Sequence, residues 1–120
     1  MSLEEMRKVL IKESPPQFIS ILIGTEDGLP IISTMSKEYE KNSAGLLATI
    51  LNTVELLAKL SNLGKINYII SNHEEGGIFV TKISSKYYIL IIFEKGLKEG
   101  ILFFHVKRII SKIKKYLTRY

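Results

Sequence analysis

The side chains able to do chemistry are few and scattered. Histidines stand only at 73 and 105. His73 is followed by Glu74 and Glu75 and could be read as part of a metal centre. Such a centre needs several convergent ligands with supporting contacts around them, and no second ligand set accompanies the trio, so it reads as a solvated polar loop. His105, between Phe104 and Val106, reads as partly buried packing. Glu26 and Asp27 are adjacent carboxylates, but Asp27-Gly28 is itself a turn signal. Neighbours in a hairpin turn point apart, which does not suit a general acid and base held at a fixed separation. Ser20, Ser33 and Ser71 lie in strand-like runs without the glycines of a nucleophile elbow. The phosphate cradles G-x-x-x-x-G-K-[ST] and G-x-G-x-x-G after a strand are missing. There is no cysteine, which excludes disulfides, thiol catalysis and thiolate-bound metals. This census predicts no catalytic residue, no cofactor and no metal.

The basic residues allow a second kind of chemistry. The net charge is +5, and Arg108, Lys112, Lys115 and Arg119 recur at alternating four- and three-residue spacings along one edge of a helix. One reading is a set of anion contacts for lipid or nucleic acid. The other is the solvated side of a helix whose opposite side is buried. Single-strand binders stack bases on aromatic platforms, and Tyr116 and Tyr120 alone do not make one. The solvated reading is preferred, with neither membrane nor nucleic acid expected as the primary partner.

The elements that would position these residues are readable from periodicity. Leu3, Met6, Val9 and Leu10 follow the capping-box pair Ser2 and Glu5 at helical spacing, and the helix must stop before Pro15-Pro16. Residues 18–23 read as a strand, Gly24-Thr25-Glu26-Asp27-Gly28 as a turn, and 31–35, opened by Pro30, as the returning strand. Residues 40–63 read as a long helix ended by Gly64 at C′. Strands follow at 66–71, 78–83 and 87–93, with Ile66, Tyr68 and Ile70 on one face of the first. The last, Tyr-Tyr-Ile-Leu-Ile-Ile-Phe, is apolar on both faces and belongs in the middle of a covered sheet. A helix from Leu97 or Gly100 to Leu117 closes the chain, with Leu102, Val106, Ile109, Ile113 and Leu117 as its buried seam. The order α-β-β-α-β-β-β-α predicts an α/β sandwich, one antiparallel sheet between helical layers.

The 40–63 helix organises the rest. Leu46, Leu47, Ile50, Leu51, Val54, Leu57 and Ala58 make one broad stripe, and Leu56, Leu60, Thr49 and Thr53 widen it beyond what one packing face needs. Only Asn52, Glu55, Lys59 and Asn62 form a solvated ridge. So apolar a helix needs a second partner besides its own sheet, and a second copy of the chain is the simplest.

Size and composition agree with one soluble domain over residues 1–120. The acidic start has no apolar signal-peptide core, and apolar runs such as 87–93 fall short of the ~20 residues of a spanning helix, so a cytoplasmic protein is expected. Nineteen isoleucines, many lysines and the lack of Cys and Trp resemble thermophile usage.

The strand closing on Gly24, the turn Glu26-Asp27-Gly28-Leu29-Pro30-Ile31 and the long apolar helix carry a resemblance. So do the helix-glycine-strand passage over 60–70 and the run Gly-Leu-Lys-Glu-Gly-Ile-Leu-Phe-Phe-His-Val from Gly96. Together, over nearly the whole chain, they resemble the Roadblock / dynein light-chain domain family, although the central helix is poorer in alanine than is typical. The resemblance implies a profilin-like sandwich with sheet order 2-1-5-4-3. It implies a symmetric dimer in which third strands join edge to edge and long helices lie together. Leu46, Ile50, Thr53, Leu56, Leu57, Leu60, Ile66, Tyr68 and Ile70 would then meet a second copy or a Roadblock paralogue. It also implies a non-catalytic platform, in a prokaryote and by this reading an archaeon, that binds or regulates a Ras-like small GTPase. Asn52, Glu55, Lys59 and Asn62 would be the surface offered to that GTPase.

Overall fold

The computed structural model describes residues 2–118, the side chain of Ser2 excepted. The Ser2 half of the expected capping box, Arg119 and Tyr120 lie outside the described residues. The elements follow the expected order: α1 (Ser2–Glu13), β1 (Phe18–Thr25), β2 (Pro30–Ser33), α2 (Lys37–Leu60), β3 (Tyr68–His73), β4 (Gly76–Lys82), β5 (Tyr87–Glu94) and α3 (Glu99–Leu117). All strand pairs are antiparallel, in one five-stranded sheet of order β2-β1-β5-β4-β3. This is the expected sandwich.

The doubly apolar β5 occupies the centre, and the reason is visible in its alternation. Tyr87, Ile89, Ile91 and Phe93 point into one apolar layer with Met6 and Leu10 of α1 and the seam Leu102, Val106, Ile109, Ile113 and Leu117 of α3. Tyr88 and Leu90 point the other way, against Ala44, Leu47 and Leu51 of α2. A strand with period two can serve both layers only if consecutive residues are apolar, as they are from Tyr87 to Phe93. All five expected α3 seam residues are buried.

The β1–β2 turn is built as the Asp-Gly signal suggests. Gly28 takes φ +95°, a conformation that suits glycine, and the Thr25 hydroxyl donates to Asp27 while accepting the Leu29 amide at 3.0 Å. Asp27 is thereby committed to holding the turn. The entrance to α2 has no side-chain cap at Ser36. Instead buried Ser33 donates its hydroxyl to Glu40 Oε2 at 2.5 Å and accepts the Met35 amide at 3.0 Å, tying β2 to the first turns of the helix.

Several ends shift by one to three residues, with α2 opening at Lys37, β2 closing at Ser33 and β4 running over Gly76–Lys82, and three further expectations are corrected. First, α2 stops at Leu60, and Asn62, not Gly64, is its C′ residue, with φ +56°. The Leu63 amide donates to the Ala58 carbonyl and the Asn62 amide to that of Lys59, the paired bonds of a Schellman motif. Second, β3 begins two residues late and extends to His73, which pairs with Gly76 across the two-residue turn Glu74-Glu75. His73 is thus a strand residue, its Nε2 2.5 Å from the Ser71 hydroxyl. Ile66 precedes the strand and packs with Ile69 on the α2 side, whereas Ile70 faces the α1/α3 side, so Ile66 does not share a face with Tyr68 and Ile70. Third, α2 is long and apolar enough to cross a membrane by length and composition, although it lies on the sheet with Ala44, Leu47, Leu51 and Ala58 buried.

Candidate functional site

The site is built on the outer side of α2. Its broad stripe separates into two seams. The inner one, Ala44, Leu47, Leu51 and Ala58, is buried on the sheet, with Val54 half-buried between them. The outer one, Leu46, Ile50, Thr53, Leu57 and Leu60, keeps the alternating four- and three-residue spacing of helices that pack on helices yet, among the described residues, belongs to neither buried layer. Leu46, Leu57 and Leu60 are 64, 60 and 82% exposed, and Leu56 beside them is 64% exposed. Leu63, just past the helix, extends the patch at 75% exposure. Sequence reasoning missed Leu63, whose one signal was its place after the C′ residue, where an apolar side chain is common. A contiguous apolar surface of this kind is uncommon on a monomer and marks an interaction surface.

Next to the patch lies a groove of about 620 Å³, walled by the C-terminal half of α2 and the connection that follows it. Asn52, Glu55, Lys59 and Asn62 all line it, with Leu56, Gly64 and Lys65. The helical spacing of the first three carries them to one side, and the Schellman turn swings Asn62 round to meet them. Beneath α2, burial above all raises the pKa of the Tyr88 phenol, helped by the carboxylates of Glu55 and Glu26. The groove offers both signs of charge, from Glu55, Lys59 and Lys65, beside the apolar Leu56 and Ala58. Apolar contact with a few polar groups to fix orientation is the make-up that suits protein recognition.

The other expected interface residues divide between the faces. Ile66 lies on the α2 side. The Tyr68 ring lies on the opposite face against Phe79 and Phe103, with centroids at 5.7 and 5.3 Å. β3 itself is an edge strand, paired only to β4.

The basic edge of α3 is partly committed. Glu13, at the end of α1, accepts from Arg108 Nε at 2.7 Å and lies 3.1 Å from Lys112 Nζ. Those two hydrogen bonds, led by Arg108, hold its carboxyl below the ordinary carboxylate range. Lys115 stands over the Tyr116 ring. Among the described residues no group of three or more His, Asp or Glu could hold a metal ion. His105 packs edge-on against the Phe18 and Phe104 rings, and its Nδ1 is buried with no hydrogen-bond partner among the described residues.

No family model matches the sequence, and no curated protein matches it either. Solved structures do match. A Roadblock/LC7 domain from Streptomyces avermitilis superposes with TM-score 0.82 at 14% identity, over 97% of this chain and 98% of that one. The gliding protein MglB from Thermus thermophilus gives 0.83 at 16% identity, over 99% and 93%. An MglB with a tetrameric arrangement gives 0.82 at 16%, over 96% and 89%. With the same layers matched across almost the full length of each chain, the protein described above has the Roadblock/LC7 fold.

Proposed function

We propose that the protein is a non-catalytic, cytoplasmic adaptor or regulator, a single Roadblock-like domain that acts as a dimer and binds a Ras-like small GTPase. The observation that carries the reading is the outer seam of α2, an exposed row of leucines set beside a mixed-charge groove. Covering such side chains contributes up to about 1.5–3 kcal/mol each, which favours drawing a second copy of the helix onto the first against the entropic cost of association. The unpaired edge of β3 carries no proline or inward charge to block pairing, which supports an isologous contact of helix on helix and edge on edge. The pair would then present the groove lined by Asn52, Glu55, Lys59 and Asn62 to the GTPase, as the family resemblance implies. The neighbour with a tetrameric arrangement supports self-association as a property of this fold. Pairing with a Roadblock paralogue would use the same seam.

The reading makes two separable demands. Sedimentation of the wild-type chain at micromolar concentration should give a dimer, and Leu57→Glu/Leu60→Glu a folded monomer with an unchanged far-UV spectrum. Candidate Ras-like GTPases, loaded with GTP, should be retained by the dimer or change their hydrolysis rate, and Glu55→Lys/Lys59→Glu should reduce that effect while leaving the dimer intact. A single subunit under these conditions would overturn the dimer; no retention and no rate change would overturn the GTPase role. The contacts of Glu13 with Arg108 and Lys112 count against an alternative role for α3 as a binder of anionic membrane or nucleic acid.

A further inference from the structure

The face of the sheet opposite α2 is not fully covered. Five strands at about 4.8 Å spacing make a sheet ~24 Å wide, while two helices of about 10 Å each cover ~20 Å. α1 packs on α3 and reaches β2, so the strip left open is the one beside β3. There the rings of Tyr68, Phe79 and Phe103, from β3, β4 and α3, contact one another with centroids 5.3 to 5.7 Å apart. They line a hollow of about 330 Å³ together with Ile110 and Lys107. A second hollow of about 320 Å³ follows along the same helix, lined by Ile83, Leu117, Lys114 and Lys115. The two hollows share no lining residue but follow one another beside α3 between Phe103 and Leu117, a span of ~21 Å at the helical rise, and are taken together as one trough.

The charges of the trough are one-sided. No carboxylate lines either hollow, and among the described residues Lys107, Lys114 and Lys115 take part in no ion pair. On the same helix Arg108 and Lys112 are both engaged by Glu13. Among the described residues, one side of α3 is therefore compensated by a carboxylate and the other is not. An aromatic floor with a cationic rim matches a helix that carries an apolar stripe flanked by carboxylates.

We propose that this trough is a docking site for an acidic amphipathic helix of a partner protein, about fourteen residues long, which completes the helical layer over β3. A flat bilayer meets only protruding side chains and cannot reach the floor of a trough, whereas a helix can lay its stripe into it. The site is on the face of the sheet away from the α2 seam, borders the β3 edge at which a second copy is proposed to pair, and does not depend on the GTPase reading.

The test uses the full chain and a fluorescein-labelled peptide of about 16 residues with a Leu/Phe stripe flanked by Glu. A Lys-for-Glu version and a scrambled version of the peptide serve as comparators. Anisotropy should show the acidic peptide binding about tenfold or more tighter than either comparator, and weakening with salt. Amide shift changes in a two-dimensional NMR spectrum should centre on Tyr68, Phe103 and Ile110. Lys107→Glu/Lys114→Glu, at two exposed positions, should melt at the wild-type temperature and lose about tenfold in affinity. Leu57→Glu/Leu60→Glu should retain peptide binding, which separates this site from the α2 surface. Any of four results would overturn the proposal: no binding up to ~1 mM peptide, equal affinity for the scrambled peptide, shift changes centred on α2, or capture by phosphatidylserine vesicles with the acidic peptide ignored.

Discussion

Glu13 shows how a single carboxylate sets the chemistry of its neighbourhood. Its pKa is depressed in the folded chain, first by the hydrogen bond from Arg108 and then by that from Lys112, from an ordinary value of 4.5. A carboxylate depressed on folding adds stability at all pH values above its unfolded pKa, and that contribution fades as pH falls through the folded value. Thermal melts from pH 7 down to pH 3 should therefore show an acid-side loss beginning only below about 4.5, and Glu13→Gln should flatten that part of the profile. Because the pair Glu13–Arg108 joins residues 95 apart, nothing local in the sequence announces it. Arg108 and Lys112 were legible as a basic edge, but their partner on another helix was not. Gly76 makes a steric prediction at the same scale. A Cβ there would sit 2.1 Å from the Phe93 carbonyl oxygen, a backbone atom of the central strand that cannot step aside. Gly76→Ala should destabilise the fold by about 1–3 kcal/mol, measurable by urea unfolding.

Among the elements, α2 separates what a sequence can and cannot specify. Its excess apolar width was readable; which leucines turn inward and which outward became visible only with the helix laid on the sheet. Its end was misplaced because glycine is the usual C′ residue and Gly64 lies close by, yet asparagine also tolerates the left-handed conformation, and Asn62 closes the helix first. The role of Asn62 in closing the helix is separable from the partner contact proposed for it. Asn62→Gly should leave stability within about 0.5 kcal/mol of wild type, while Asn62→Ala should cost about 1 kcal/mol. If the side chain also contacts a partner, Asn62→Gly should weaken binding without loosening the helix. The shift in β3 has a related cause. An edge strand half open to solvent needs no apolar run, so Asn72 and His73 passed for a loop. In α3 and β5, where both periodicity and burial are strong, the expected buried seam and the expected ends agree with those observed to within one or two residues.

For the molecule as a whole, the proposed pairing along α2 couples stability to concentration. If the outer seam is buried only in the dimer, the melting temperature should rise with protein concentration, and Leu57→Glu/Leu60→Glu should remove that dependence; a melting temperature that does not change with wild-type concentration would contradict it. The layered architecture and the central place of β5 were legible because turn signals, helical periods and one doubly apolar strand constrain them together, whereas the full sheet order came from the family resemblance. The aromatic trough beside β3 was not, because its three rings come from three elements and meet only in the folded chain.

The strand at the middle of the sheet is also the last one made. As the chain leaves the ribosome, β1–β2 and β3–β4 emerge as two hairpins with no direct pairing between them, each showing a greasy edge that only residues 87–94 can bridge. Until that keystone arrives the nascent protein is two unjoined halves, so a pause or a truncation before residue 87 would leave them open to aggregation, while a separately supplied β5–α3 fragment could join them.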